Sequence, residues 1–224
     1  PDIAVLYPDF VKDMPSFLTA GTGLDALAHA VGAYIINVAT ALTEAIGLKS
    51  IELILKYLPR SYKYGAKDIE ARKNVQLAST MAGMSFGNSQ TGIDHALGHS
   101  FGKLFDVHHG IAVGMFMPYA VQFQSEVTEK WKDLCPVFGV KTENKSNKER
   151  LNDLTEAMKM FMRSINTPTC VEEMESPKIT REQYMEKIDT LADYAYNDGV
   201  SLYSNRPINV ELYKKIFEYA YEGK

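Results

Sequence analysis

The side chains best equipped for chemistry are five histidines, all in the first half of the chain. His29 stands alone, whereas His95, His99, His108 and His109 fall within one short stretch. Asp25 lies four residues before His29 in Gly-Leu-Asp-Ala-Leu-Ala-His-Ala. On a helix that spacing sends carboxylate and imidazole out of one face, a turn apart. Their neighbours are apolar, and a partly buried carboxylate is costly unless it is paired or ligates a metal. His95 and His99 repeat the four-residue spacing. Were that helix to continue unbroken, His109 would sit roughly 20 Å along the axis from His95. Such a gap is far too long for a shared ion with bonds of about 2 Å. A turn is therefore required, and Gly102, Asp106 and Gly110 supply material for one. If it folds His109 back, then Asp25, His29, His95 and His109 form a shell of three imidazoles and one carboxylate, with room for an exogenous oxygen. This donor set suits Fe²⁺ or Zn²⁺ and is a poor match to Ca²⁺ or Mg²⁺. Two plainer readings stay open: a solvated Asp–His pair, and helix-end histidines that cap carbonyls and meet the dipole.

The elements that must position these residues read as helices. Leu24, Leu27, Ala28, Val31, Tyr34 and Ile35 recur at three- and four-residue steps, as do Leu42, Ile46, Leu53, Ile54, Tyr57 and Leu58. Pro59 is expected to stop the second stripe. Asp68 caps a third helix whose apolar positions include Val75, Leu77, Met81 and Met84. A fourth spans residues 91–104, and a fifth begins near Gly110, with an interruption and kink expected at Pro118. Ser146 with Glu149, and Thr180 with Gln183, have the reciprocal spacing that starts a helix. Residues 166–178 read as a loop, and a last helix covers residues 210–221. The opening residues, with Ile3, Val5 and Leu6 among prolines, read as an extended entry segment over 1–18. The fold expected for residues 19–224 is an all-α helical bundle without internal repeats.

Bulk properties exclude several classes. The 224 residues carry 46 % hydrophobic and 23 % charged side chains and a net charge of −4. No basic stripe suggests nucleic acid. The most apolar run, residues 110–121, is about half of what a bilayer span requires. Cys135 and Cys170 are too few for a disulfide framework and suit buried thiols in a reducing compartment. No signal peptide is recognisable, so a cytoplasmic protein is expected, and the initial Pro1 suggests trimming. The Tyr-rich C-terminal third (Tyr194, Tyr196, Tyr203, Tyr213, Tyr219, Tyr221) is expected to pack on the bundle or to contribute to a homo-oligomer interface.

At the histidine segments the sequence resembles the iron-containing (group III) alcohol dehydrogenases, nearly end to end. Thr22-Gly-Leu-Asp-Ala-Leu-Ala-His-Ala is similar to the family's first metal segment. Ala82-Gly-Met-Ser-Phe with Gly92-Ile-Asp-His-Ala-Leu-Gly-His resembles its second, and Val107-His-His-Gly-Ile-Ala-Val-Gly its third. Ser204-Asn-Arg-Pro resembles the Asn-Pro-Arg turn near the family's C-terminus. The resemblance implies the C-terminal helical domain of a dehydroquinate synthase-like architecture, with metal ligation by Asp25, His29, His95 and His109. It places His99 beside the nicotinamide and substrate, where it would serve catalysis and cofactor binding. It implies interconversion of a small alcohol and its aldehyde or ketone, with Fe²⁺ (or Zn²⁺) and NAD or NADP. Family members usually have Glu at Gly32 and Pro at His108, the latter leaving a rival ligand beside His109.

No strand, Gly-rich turn and helix in series is present to hold a pyrophosphate. The resemblance implies an N-terminal dinucleotide-binding α/β domain, the half expected to be missing here, and the isolated chain is expected to bind metal weakly or moderately but turn over no alcohol. Other classes remain: a metal-dependent hydrolase or lyase, and a non-catalytic helical module with a closed structural metal site. All-helical His-Asp phosphohydrolases place the carboxylate after its histidine, whereas here the order is Asp94-His95.

Overall fold

The computed structural model describes residues 3–223; the start of the entry segment, residues 1–2, lies outside them. Among the described residues there are ten α-helices and no strand. Residues 3–7 carry no regular structure, a 3-10 turn covers Pro8–Phe10, and α1 begins at Ser16. The helices are α1 (Ser16–Ile35), α2 (Ala41–Tyr64), α3 (Ile69–Ser89), α4 (Ile93–Phe105), α5 (His109–Gln124), α6 (Trp131–Val137), α7 (Asn147–Ser164), α8 (Arg181–Glu186), α9 (Ile188–Tyr196) and α10 (Val210–Glu222).

The α1 stripe read from the sequence is the core: Leu24, Leu27, Ala28, Val31, Tyr34 and Ile35 are all buried. Helix α5 runs through the middle of the bundle, and the apolar run 110–121 is buried at every position. That is why it is apolar all round, as a central helix must be. Pro118 lies inside α5, and Pro59 lies inside α2 without ending it. Proline removes one helical hydrogen bond and crowds the preceding turn. Here burial of Ile54, Leu58 and Ser61 on α2, and of nearly all of α5, holds the helices together across it.

The α2–α3 pair departs from its expected stripes. Ile54, Tyr57 and Leu58 of the expected α2 stripe are buried, but Leu42, Leu77 and Met84 are exposed, and the small residues Gly47, Ser50, Ala78, Ala82 and Ser85 share the buried faces. Ser50 Oγ donates to the Ala78 carbonyl (2.7 Å) and Ser85 Oγ to that of Thr43 (2.8 Å). Close helix approach with satisfied hydroxyls here adds to the apolar burial of Ile51, Ile54 and Leu58. Asp68 accepts from the Ala71 amide, and both expected capping boxes, Ser146–Glu149 and Thr180–Gln183, are formed. The loop at 166–178 is present, and α10 ends one residue beyond its expected limit. Helices α6 and α9 are too short to be recognised from periodicity alone.

In the C-terminal third, Tyr213 and Tyr221 are buried while Tyr194, Tyr196 and Tyr219 are half exposed. Both cysteines are buried and free. No helix among the described residues is long and apolar enough to cross a membrane.

Candidate metal centre

Three helices bring the histidines together. Helix α1 supplies Asp25 and His29 from one face, α4 supplies His95, and α5 begins at His109. The turn demanded by the sequence lies between α4 and α5. Asp106 adopts the left-handed conformation (φ 53°, ψ 45°), which Asp tolerates better than most residues. The Asp106 and Val107 amides close the end of α4 onto the Gly102 carbonyl. Helix α5 then returns against α1, so closely that a β-carbon at Gly110 would lie 2.0 Å from the Gly21 carbonyl oxygen. Gly98 performs the same service for the α4–α5 contact, where a β-carbon would meet Val113 at 2.5 Å.

The outcome is a cluster in which one ligand atom each from Asp25, His29, His95 and His109 lies within 4.8 Å of the others. His109 Nε2 stands 3.0 Å and His95 Nε2 3.8 Å from Asp25 Oδ1. His29 Nε2 is 3.6 Å from Asp25 Oδ2 and 3.3 Å from His95 Nε2. Side-chain exposure rises from 2 % at His95 through 17 % at His29 and 28 % at Asp25 to 47 % at His109, so the cluster opens on one side. His29 stacks on Phe86 with ring centroids 3.9 Å apart.

His99 lies on the open side and is not one of the four. Its ring stacks on His109 (5.2 Å between centroids), and its Nδ1 is 2.7 Å from Asp198 Oδ2. His108, the rival neighbour of His109, turns away: its ring packs edge-on against Phe17 and fills the space beside Gly21. Gly32 packs on the Gly92 backbone at the start of α4. A β-carbon there would come within 2.6 Å of the Gly92 nitrogen. Phe101 and Phe116 belong to the core and contact each other edge-to-face. A cavity of about 610 Å³ lies beside His108, Phe17 and Arg163 and includes none of the four convergent residues. Convergence of donor atoms, not cavity size, marks this site.

Three residues that sequence reading did not single out as part of the site complete it. Asp94 Oδ2 lies 2.7 Å and Thr91 Oγ1 2.9 Å from His95 Nδ1, and both side chains are buried. Asp198 holds His99. Side chains at i and i+1 do not normally face each other on a helix, so the pairing of Asp94 with His95 had no signal in spacing.

Electrostatics point to a cation. Burial works against charge on Asp25, but the facing imidazoles of His109 and His95 outweigh it and hold the carboxyl well below the usual range. Burial, followed by the neighbouring His95, depresses His29 to about 4. Burial also opposes charge on His95, but the Asp94 charge and hydrogen bonding to Asp25 and Asp94 raise it to about 9. Asp25 Oδ1 is buried without a hydrogen-bond partner even though two imidazole nitrogens face it. A buried carboxylate oxygen in that position is costly unless something positive satisfies it. A divalent cation does so, and it uses the Nε2 lone pairs as well; the residues fit such an ion.

Comparison with known proteins identifies the family of the chain. The profile of the Fe-containing alcohol dehydrogenase family, C-terminal, matches residues 19–221. The chain is 31 % identical over its full length to the NADPH-dependent butanol dehydrogenase of Clostridium saccharobutylicum, covering 56 % of that protein. It is 36 % identical over 75 % of its length to the lactaldehyde reductase of Escherichia coli (strain K12), covering 44 % of it. A 1,3-propanediol oxidoreductase crystal structure superimposes with a TM-score of 0.87 at 28 % identity, over 96 % of this chain and 54 % of the other. The chain thus spans about half the length of the curated relatives it matches. With a family match over nearly its whole length and the family's helical architecture, the chain belongs to the Fe-containing alcohol dehydrogenases and corresponds to their C-terminal domain.

Proposed function

We propose that this chain is the metal- and substrate-binding half of an NAD(P)-dependent alcohol dehydrogenase, interconverting small alcohols and their aldehydes or ketones. Its metal ligands are Asp25, His29, His95 and His109. The observation that carries this reading is the convergence of four donor atoms from three helices within 4.8 Å. Three imidazoles and one carboxylate favour Fe²⁺, with Zn²⁺ a workable substitute. When bound, the ion supplies Lewis acidity toward an alcohol or carbonyl oxygen. Asp25, anionic across the physiological range, balances half of a divalent charge.

His99 stands at the open side with Nδ1 engaged by Asp198. In this reading it orients the nicotinamide ring and relays the alcohol proton toward solvent through its other nitrogen. Phe86, stacked on His29, gives the site an apolar wall. The hydride acceptor binds on a dinucleotide-binding half, consistent with relatives about twice as long as this chain.

The decisive test is elemental analysis after anaerobic purification, together with thermal unfolding in the presence of Fe²⁺ or Zn²⁺. One ion per chain is expected, and at a hundredfold excess over Kd it stabilises by about 2.7 kcal/mol. His95→Ala abolishes both effects. Stoichiometric metal retained by His95→Ala overturns the ligand assignment, and absence of metal from the unaltered chain overturns the metal centre. In a protein that joins this chain to a dinucleotide-binding half, NAD(P)H-dependent reduction of short aldehydes is expected, and its absence despite bound metal refutes the dehydrogenase reading.

A further inference from the structure

We infer that Asp94 is a positioning residue that fixes the ring orientation and tautomer of His95, making His95 the anchor of the metal centre; this rests on the metal centre proposed above. The three imidazoles are supported unequally. His29 Nδ1 is buried and has no hydrogen-bond partner, its ring held by stacking on Phe86. His109 is the most exposed of the three, with no protein hydrogen bond to Nδ1 among those of the described residues. His95 alone is clamped at Nδ1, by the Asp94 carboxylate at 2.7 Å and the Thr91 hydroxyl at 2.9 Å. With the Nδ1 proton donated to Asp94, Nε2 is left bare and faces Asp25 and His29. A carboxylate behind an imidazole also raises its basicity toward a metal.

Position makes this carboxylate usable. Asp94 is 3 % exposed, yet it lies in the first turn of α4, where the free amides and the helix dipole favour negative charge. Its Oδ1 stands where a β-carbon on Gly92 would be, 2.5 Å away, so Gly92 leaves space for the carboxylate. Together Asp25 and Asp94 bring two negative charges to the cluster, which, with its imidazoles in the neutral form that a metal requires, balances a divalent ion and undercompensates a trivalent one.

The test is Co²⁺ and Zn²⁺ binding to the chain, by chelator competition and by the visible d–d absorption of bound Co²⁺, for Asp94→Asn, Asp94→Ala and Thr91→Val. Asp94→Ala is expected to weaken metal about 10- to 100-fold, the range for loss of a ligand's supporting partner. Asp94→Asn, which keeps an acceptor but no charge, falls between Asp94→Ala and the parent, and Thr91→Val is mild. The Co²⁺ spectrum is expected to shift in the Asp94 variants, which a purely structural loss of stability would not cause. Parent-like affinity and spectra in folded Asp94→Ala and Asp94→Asn overturn the role of Asp94 while leaving the metal centre intact. If Asp94→Ala does not fold, Asp94→Asn decides. No binding by the parent chain refutes the metal centre itself.

Discussion

The contact between Gly110 and Gly21 offers a sharp test of how the site is assembled. Replacing Gly110 with Ala would put a methyl 2.0 Å from the Gly21 carbonyl oxygen and 3.0 Å from the Asp25 β-carbon. The first obstacle is backbone and cannot rotate away, so the start of α5 must retreat from α1 by about 1 Å to reach even a 3.0 Å contact. Overpacking of this kind costs about 1–3 kcal/mol, with the upper end expected against backbone. The better helix propensity of Ala returns at most about 1 kcal/mol, less at a helix start. A net loss of about 2 kcal/mol lowers Tm by roughly 4–8 °C for a chain of this size. The same retreat pulls His109 away from Asp25, when ligand distances tolerate only about 0.2 Å. Metal affinity is therefore expected to fall about 10-fold or more, as when a ligand loses its support. Thermal unfolding without metal and Zn²⁺ competition titrations read the two effects separately. Gly83→Ala is the control: its β-carbon meets nothing within 4 Å inside α3. It should gain about 0.5–1 kcal/mol and leave metal binding unchanged. A Gly110→Ala protein with parental Tm and parental affinity would refute the close α1–α5 contact as the device that delivers His109.

Two further outcomes follow from the same structure. Arg72, buried, donates to the Met14 carbonyl (2.7 Å) and to Thr19 Oγ1 (2.6 Å), tying the entry segment to α1 and α3. Arg72→Met is expected to cost about 2 kcal/mol through the stranded acceptors and to speed proteolytic cleavage within residues 3–14; unchanged cleavage would show that the segment is held otherwise. Burial raises the phenols of Tyr119, Tyr184 and Tyr213 well above 10, and the first two donate to the Thr169 and Phe217 carbonyls. Since the folded value exceeds the unfolded one, the contribution is complete below pH 10 and is lost as pH climbs beyond it. Phenolate absorption near 295 nm should therefore rise together with loss of helicity in alkaline titration. Non-cooperative ionisation of all tyrosines on a still-helical chain would contradict their burial.

How much of this was legible in the sequence depends on the kind of signal. The pairing of Asp25 with His29 on α1 was readable because the i, i+4 spacing is local and the stripe around them is large and apolar. The need for a turn before His109 followed from helix rise alone, and Asp106 in its left-handed conformation supplies it. The α2–α3 pair was read only in part: Ile54, Tyr57 and Leu58 are buried as expected, but Gly47, Ser50, Ala78, Ala82 and Ser85 contribute close approach and hydroxyl pairing that no hydrophobicity pattern reports. Pro59 and Pro118 misled for the opposite reason: local rules predict interruption, and burial on both sides of the ring overrides them. Asp198 and Asp94 were invisible as site residues, the first because 99 residues separate it from His99 and the second because adjacent helical side chains are not expected to meet.

The exposure gradient across the cluster bears on what this half of the molecule contributes. Its inner members, His95 and Asp94, are sealed, and a cation held there would be anchored by the chain alone. Its outer members are not: His109 and His99 are 47 % and 41 % exposed, and they stack on each other at the rim. Hydride transfer requires water to be kept from the reacting carbon, and no described residue covers that rim. Under the proposed function, then, the two tasks separate. This chain fixes the ion and orients His99, whereas shielding of the reaction falls to the surface that brings the nicotinamide against the open face. Substitutions at Asp94 should therefore register in metal affinity without any nucleotide, while those at His99 should matter only once the dinucleotide is in place.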